Sequence, residues 1–179
     1  MLITILLVAI VIVALIVIIA MQPTDFTITR SAAIPAPASL LFDQVNDFHN
    51  WQAWSPWARL DPAAKNTFSG APSGEGAIFN WSGNSKVGEG KMTLLKSRQN
   101  NLIQIKLEFF KPFKATNMVE FTFAPGGDIT MVTWTMTGKN NFMAKAFVMV
   151  MNCDKMIGGM YEKGLANLKT VTDEMTAKR

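Results

Sequence analysis

The pattern of apolar and polar positions divides the chain into stretches of different period. Leu2 to Met21 has no period: it is an unbroken run of Leu, Ile, Val and Ala, broken only by Thr4 and closed by Met21, without a charge. An apolar run of ~20 residues is long enough to cross a bilayer as a helix. From Asn66 to Gly138 the period is two. GAIFNWSG sets Ala77, Phe79 and Trp81 on one face against Ile78, Asn80 and Ser82. NLIQIKLEFF sets Ile103, Ile105, Leu107 and Phe109 against Gln104, Lys106 and Glu108. KATNMVEFTF does the same with Val119, Phe121 and Phe123, and DITMVTWTMTG with Val132, Trp134 and Met136. Strands with one greasy and one wet face belong to antiparallel sheets. Turn residues in SGAPSGEG, SGNSKVGEG, RQNN and APGGD separate them.

The flanks of this region are mixed. DFTITRSAAI, Asp25 to Ile34, alternates and reads as a first strand. Two prolines end it, Ser39 can cap a short helix, and Leu40, Leu41, Val45 and Phe48 give that helix a stripe. HNWQAWSPWARLD continues as a second short helix stopped by Pro56. Towards the C-terminus, FMAKAFVMVM is apolar nearly all round and reads as a short helix caught between two greasy surfaces. Then Met156, Met160, Leu165, Leu168, Val171 and Met175 recur at helical spacing from an Asn152 or Asp154 cap. The predicted order is strand, two short helices, about six antiparallel strands and one long amphipathic helix. The fold class is α+β, with one long helix available to cover the inward face of a curved sheet. The division is residues 1–21 as transmembrane anchor, 22–24 as linker and 25–179 as one domain of ordinary size.

Charge changes the picture little. A retained anchor is favoured over a cleaved signal, whose apolar core is ~7–15 residues behind a basic start that Met1 does not supply. Ile18-Ile19-Ala20 keeps cleavage open as the alternative. After the span, Arg30 is the lone basic residue before Arg59, a thin positive flank that favours the exported side for the domain. The net charge of +4 is scattered along the strands and forms no nucleic-acid stripe. Cys153 is the single cysteine, so there is no intrachain disulfide. A monomer is expected.

FTITRSAAIPAPASLLFDQVNDFHNWQAWSPW, FSGAPSGEGAIFNWSGN, VGEGKMTLL, LEFFKPF, VTWTMTG and GLANLK occur in that order. Together they resemble the polyketide cyclase/dehydrase branch of the START-like SRPBCC superfamily, the helix-grip fold, over nearly all of residues 25–179. The resemblance implies a curved antiparallel sheet wrapped around a long C-terminal helix. It implies a deep apolar cavity between them for lipids, sterols, polyketides or other hydrophobic molecules. Similar members often carry one N-terminal hydrophobic segment. It implies no single chemistry and no shared catalytic motif, and it places Trp54 and Trp57 at the cavity mouth.

The candidate ligand-binding residues are therefore Trp54, Trp57, Phe79, Trp81, Phe109, Phe121, Trp134, Met136 and Met160, with ordinary core packing as the plain alternative for each. Met143, Met149, Met151 and Met156 are expected to face the same aromatic set, and flexible thioethers suit variable contents. Tyr161 and Arg59 are candidate hydrogen-bond donors at the cavity ends. His49, the lone histidine, has no nucleophile beside it in any motif and reads as a surface residue; Cys153 reads as a half-buried small residue. GEGKMT lacks the earlier glycine of a phosphate loop, and one His with one Cys makes no metal site. No cofactor is expected. The favoured function is a membrane-anchored binding domain for a hydrophobic small molecule or lipid, without catalysis. A cyclase, dehydrase or hydrolase using the same cavity, or a chaperone-type interaction module, is the alternative.

Overall fold

A computed structural model describes residues 1–177. The apolar run forms helix α1 (Leu2–Met21), which has no buried residue. Strand β1 (Asp25–Ile34) follows, then α2 (Ala38–Asn46), a tight turn of helix at Phe48–Asn50, the short α3 (Trp51–Trp54) and a second tight turn at Pro56–Arg59. The strands β2 (Lys65–Gly70), β3 (Ala77–Ser82), β4 (Glu89–Arg98), β5 (Leu102–Lys111), β6 (Ala115–Gly126) and β7 (Ile129–Lys139) come next. Two helices, α4 (Phe142–Val150) and α5 (Cys153–Ala177), complete the described chain.

The seven strands form one sheet in the order β1-β7-β6-β5-β4-β3-β2, every neighbouring pair antiparallel. The strand faces read from the period-two pattern are the buried ones: Ala77 and Phe79, Ile103 and Ile105, Val119, Phe121 and Phe123, and Val132, Trp134 and Met136 all belong to the core. The concave face of this curved sheet grips α5, the arrangement expected of a helix-grip fold.

Register divides the sheet into two ends with different packing. At one end Ile34 pairs with Thr130 and Arg98 with Leu102. There Ile34, Leu94, Ile103, Phe123 and Val132 are sealed from solvent, and Phe42 of α2 meets Phe123 edge-on at 5.7 Å. At the other end Asp25 pairs with Lys139, Glu89 with Lys111, Phe109 with Ala115 and Lys65 with Ser82. This second end is where α1 joins, since only residues 22–24 separate it from β1.

Several details depart from the sequence reading. Pro37, not Ser39, precedes the first turn of α2, so that helix starts without a side-chain cap. Asn152 does cap α5, accepting from the Lys155 backbone N–H at 2.9 Å. The apolar helix α4 is not caught between two greasy surfaces: Phe142, Met143, Phe147, Val148 and Met149 are exposed. Met151 and Met156 are exposed too, so none of these methionines faces the inner aromatics. The inward face of α5 is Gly158, Tyr161, Gly164, Leu165, Leu168 and Thr172, with Ile157 and Val171 half-buried beside it. Leu165, Leu168 and Val171 were on the expected stripe; Met156, Met160 and Met175 fall outside it.

The physical reason is close approach. A β-carbon on Gly158 would overlap the Arg30 guanidinium, and one on Gly164 would press to 2.8 Å from the Trp134 ring. The helix therefore meets the sheet through its glycines. A hydrophobic stripe counts such positions as blank, and the phase it assigns drifts towards the methionines.

Candidate functional site

Between α5 and the sheet, at the end where α1 joins, lies a cavity of about 360 Å³. Its position follows from register. Phe26 is the second residue of β1, Asn117 and Val119 open β6, Leu107 and Phe109 close β5, and Phe79 and Trp81 close β3. Trp134 and Met136 supply the β7 wall and Met92 part of the β4 wall. Ile157 and Tyr161 of α5 form the roof, and Trp51, Ser55 and Trp57 of the short helical segment close one side. The rim is polar and exposed: Asn66, Ser85, Lys86 and Lys111 surround the opening.

Aromatic rings make the wall continuous. Phe79 stacks on Trp81 at 6.0 Å and Trp81 meets Phe109 edge-on at 5.8 Å. Trp57 stands edge-on to both Trp134, at 5.9 Å, and Tyr161, at 6.1 Å. Tyr161 lies flat on Trp134, centroids 3.9 Å apart and planes 9° apart. Burial pushes the Tyr161 hydroxyl well above its ordinary pKa, so it stays a neutral donor. The parallel stack leaves the Trp134 indole N–H buried without an acceptor among the described residues.

Of the predicted residues, the structure brings Trp57, Phe79, Trp81, Phe109, Trp134 and Met136 to the cavity. Three do not line it. Trp54 is sealed, with its indole N–H donating to the Gln44 carbonyl at 3.1 Å, and serves as core. Phe121 is sealed beneath Trp134, 4.7 Å away between centroids. Met160 sits on α5 one position from Tyr161 and thus turned off the lining face. Tyr161 reaches the cavity as expected; Arg59 is exposed and does not line it. His49 is exposed, bonded to Asp47 at 2.7 Å and stacked on Phe68. Cys153 is half-buried, and burial raises its thiol pKa, the opposite of an activated nucleophile.

The sequence reading missed Phe26, Trp51, Met92, Leu107, Val119 and Asn117 as lining residues. Asn117 stands out. It lines the cavity with 7% of its surface exposed. Gly138, paired with it on β7, gives the carboxamide room, because a β-carbon there would overlap Asn117 Oδ1. The alternation that turns Val119, Phe121 and Phe123 inward also turns residue 117 inward, a signal that was readable.

Two of the charged residues of the lining are held by other partners. Asp61 accepts from the backbone N–H groups of Ala63, at 3.2 Å, and Asn84, at 2.6 Å. Lys111 pairs with Glu89 at 2.8 Å. The chamber is walled mostly by apolar side chains with a few polar groups, an arrangement suited to holding a molecule.

A family model for polyketide cyclase / dehydrase and lipid transport matches residues 25–173. Protein MLL2253 from Mesorhizobium loti has a similar structure, with a TM-score of 0.61 at 18% identity over 83% of this chain and 98% of that one. Protein CV1439 from Chromobacterium violaceum gives a TM-score of 0.60 at 11% identity, over 82% of this chain and 96% of that one. CalU16 from Micromonospora echinospora gives 0.54 at 14% identity, over 81% and 73%. At these identities the likeness is one of fold. No curated protein matches the sequence.

Proposed function

The chain belongs to the polyketide cyclase/dehydrase and lipid-transport family, and from that membership we propose that it is a membrane-anchored protein that binds a hydrophobic small molecule or lipid and does no chemistry on it. The observation that supports this is the chamber itself: about 360 Å³ walled by Phe26, Phe79, Trp81, Phe109, Trp134 and Met136. Ligand pockets are concave and mostly apolar, with few polar groups that fix orientation. Asn117 is placed to be such a group. A carboxamide offers both a donor and an acceptor, so the ligand is an apolar body bearing a hydroxyl or carbonyl.

Helix α1 is the anchor in this reading, and the domain lies on the exported side. Its support is an apolar helix of 20 residues with none buried in the fold. The test is native mass spectrometry of the detergent-solubilised full chain, with extraction and identification of whatever accompanies it. An apolar molecule released in stoichiometric amount is the expected result. A protein that arrives empty and shows no saturable change in tryptophan emission with fatty-acid or sterol probes overturns the binding function. A fully soluble protein beginning at Met21 overturns the anchor.

A further inference from the structure

Helix α4 has a composition that the domain's own packing does not explain. Its described large side chains Phe142, Met143, Phe147, Val148 and Met149 each expose between 40% and 64% of their surface. Lys145 is its one charge. A helix of nine residues with five such side chains in water carries an unfavourable apolar area, by about 25 cal/mol for every Å² left uncovered. Exposed contiguous apolar surface of this kind marks a binding face.

The position of α4 says what covers that face. Lys145 Nζ donates to the Ala20 carbonyl at 3.1 Å, at the last turn of α1, and the Asn140 backbone N–H donates to the Thr24 carbonyl at 2.7 Å. The helix is thus tied to the boundary between the apolar span and the domain, where a spanning α1 would leave the bilayer. The cavity opens at the same end of the sheet. The strand ends and loops there, with α4, carry Lys65, Lys86, Lys111, Lys114, Lys139 and Lys145 against Asp25, Asp61 and Glu89, an excess of positive charge that suits an anionic leaflet.

We propose that α4 is an interfacial helix, lying with its exposed apolar face in the headgroup–acyl boundary of the bilayer that α1 crosses and turning the open end of the cavity towards that leaflet. The occupant of the face is a lipid surface. Helices of this type bury their apolar side ~5–10 Å into the interface, and Lys145 can extend its stem along the apolar surface with its ammonium in the polar layer. The ligand then enters from the membrane without crossing water. The inference rests on the reading of α1 as an anchor.

The test uses the full chain in vesicles of phosphatidylcholine and phosphatidylglycerol. In a Cys153→Ser background, an NBD fluorophore is attached through Met143→Cys or Phe147→Cys, and in a control through Asn100→Cys in the β4–β5 turn at the far end of the sheet. Blue-shifted NBD emission at 143 and 147, quenched more by nitroxide lipids labelled near the headgroup than by those labelled deep in the chain, is the expected outcome; the control is unshifted. Protein that resists carbonate extraction while all three sites behave alike overturns the interfacial helix and leaves the anchor standing. A blue shift without lipid quenching, accompanied by crosslinking between copies, assigns the face to a second copy and also overturns it. Protein washed off by carbonate overturns the anchor, and this proposal with it. As a second reading, Met143→Glu with Phe147→Glu slows transfer of a pyrene fatty acid from the vesicle several-fold, while transfer from cyclodextrin is unchanged. Equal slowing from both sources counts against the proposal.

Discussion

Three of the five tryptophans are fixed by where their indole N–H groups go. Trp51 donates to the Val45 carbonyl, Trp54 to Gln44 and Trp81 to Val87, at 2.9, 3.1 and 3.0 Å. A buried indole normally finds such a partner, and these bonds fix the segment between α2 and β2 and the β3–β4 turn. Trp57 makes no such bond among the described residues and is half-buried at the cavity. Trp57→Ala should therefore weaken binding of a fatty-acid or sterol probe by about 1–2 kcal/mol, the burial of part of a ring, with little change in denaturation midpoint. Trp54→Ala and Trp134→Ala should each cost about 3–5 kcal/mol of stability, because both leave a void in packed core. Denaturation of the three variants separates the roles; equal losses would make Trp57 packing as well. Asn117→Leu gives a different signature. It should leave stability near the parent and weaken a long-chain alcohol or ketone relative to the matched hydrocarbon by roughly 1 kcal/mol or more, the net worth of a hydrogen bond. Uniform tightening of all probes would mean that Asn117 only holds water. Periodicity told which face of a strand each residue occupies, which is why Phe79, Trp81, Phe109, Trp134 and Met136 were legible. It says nothing of depth along the strand, so Phe121, on the same face, reads as lining although it lies sealed below.

Helix α5 is clamped to β1 by one residue. Arg30 Nε donates to Glu162 at 2.7 Å and Nη2 to Asp154 at 2.9 Å, and the glycine at 158 leaves room for the guanidinium. The Arg30 hydrogen bond holds the Asp154 carboxyl below its ordinary pKa of about 3.9. The native carboxylate thus keeps its charge to lower pH than the unfolded one. Whatever stability the clamp contributes is fully present above the ordinary aspartate range and is lost as pH falls through the depressed value. Hydrogen exchange in the first turns of α5 should accelerate as pH drops below about 4, after correction for intrinsic rates, and Asp154→Asn should abolish that acid dependence. Retention of the full dependence in the variant would place the titrating group elsewhere. Gly158→Ala should displace the guanidinium and loosen the same turns at neutral pH. The clamp was hidden in the sequence because Arg30 sits at an alternating strand position and Asp154 reads as a candidate helix cap. Sequence separations of 124 and 132 leave no local trace.

At the scale of the molecule, sealed core at one end of the sheet and open cavity at the other give the domain a direction. The sealed end, from Ile34 and Val132 to Ile103 and Leu94, supplies the cohesion; the open end gives up packing for a chamber. The chain entering that open end is α1, whose recurring contacts with the rest of the fold are those with α4. The run of uncharged residues made the apolar helix α1 visible in sequence, while the neighbouring apolar helix α4 was misplaced because composition cannot tell a helix packed inside from one exposed at the surface. Since no residue of α1 is buried in the core, a chain starting at Gln22 should fold with the parent's denaturation midpoint when both are measured in mild detergent. With α4 still exposing its apolar face, the shortened chain should float with anionic vesicles and be released by carbonate. The full chain, whose backbone polar groups in the span are satisfied within α1, should stay. The two proteins thus separate what α1 does from what α4 does. A shortened chain that unfolds in detergent would make α1 part of the domain's core, and one that ignores vesicles altogether would leave α1 as the protein's sole hold on the membrane.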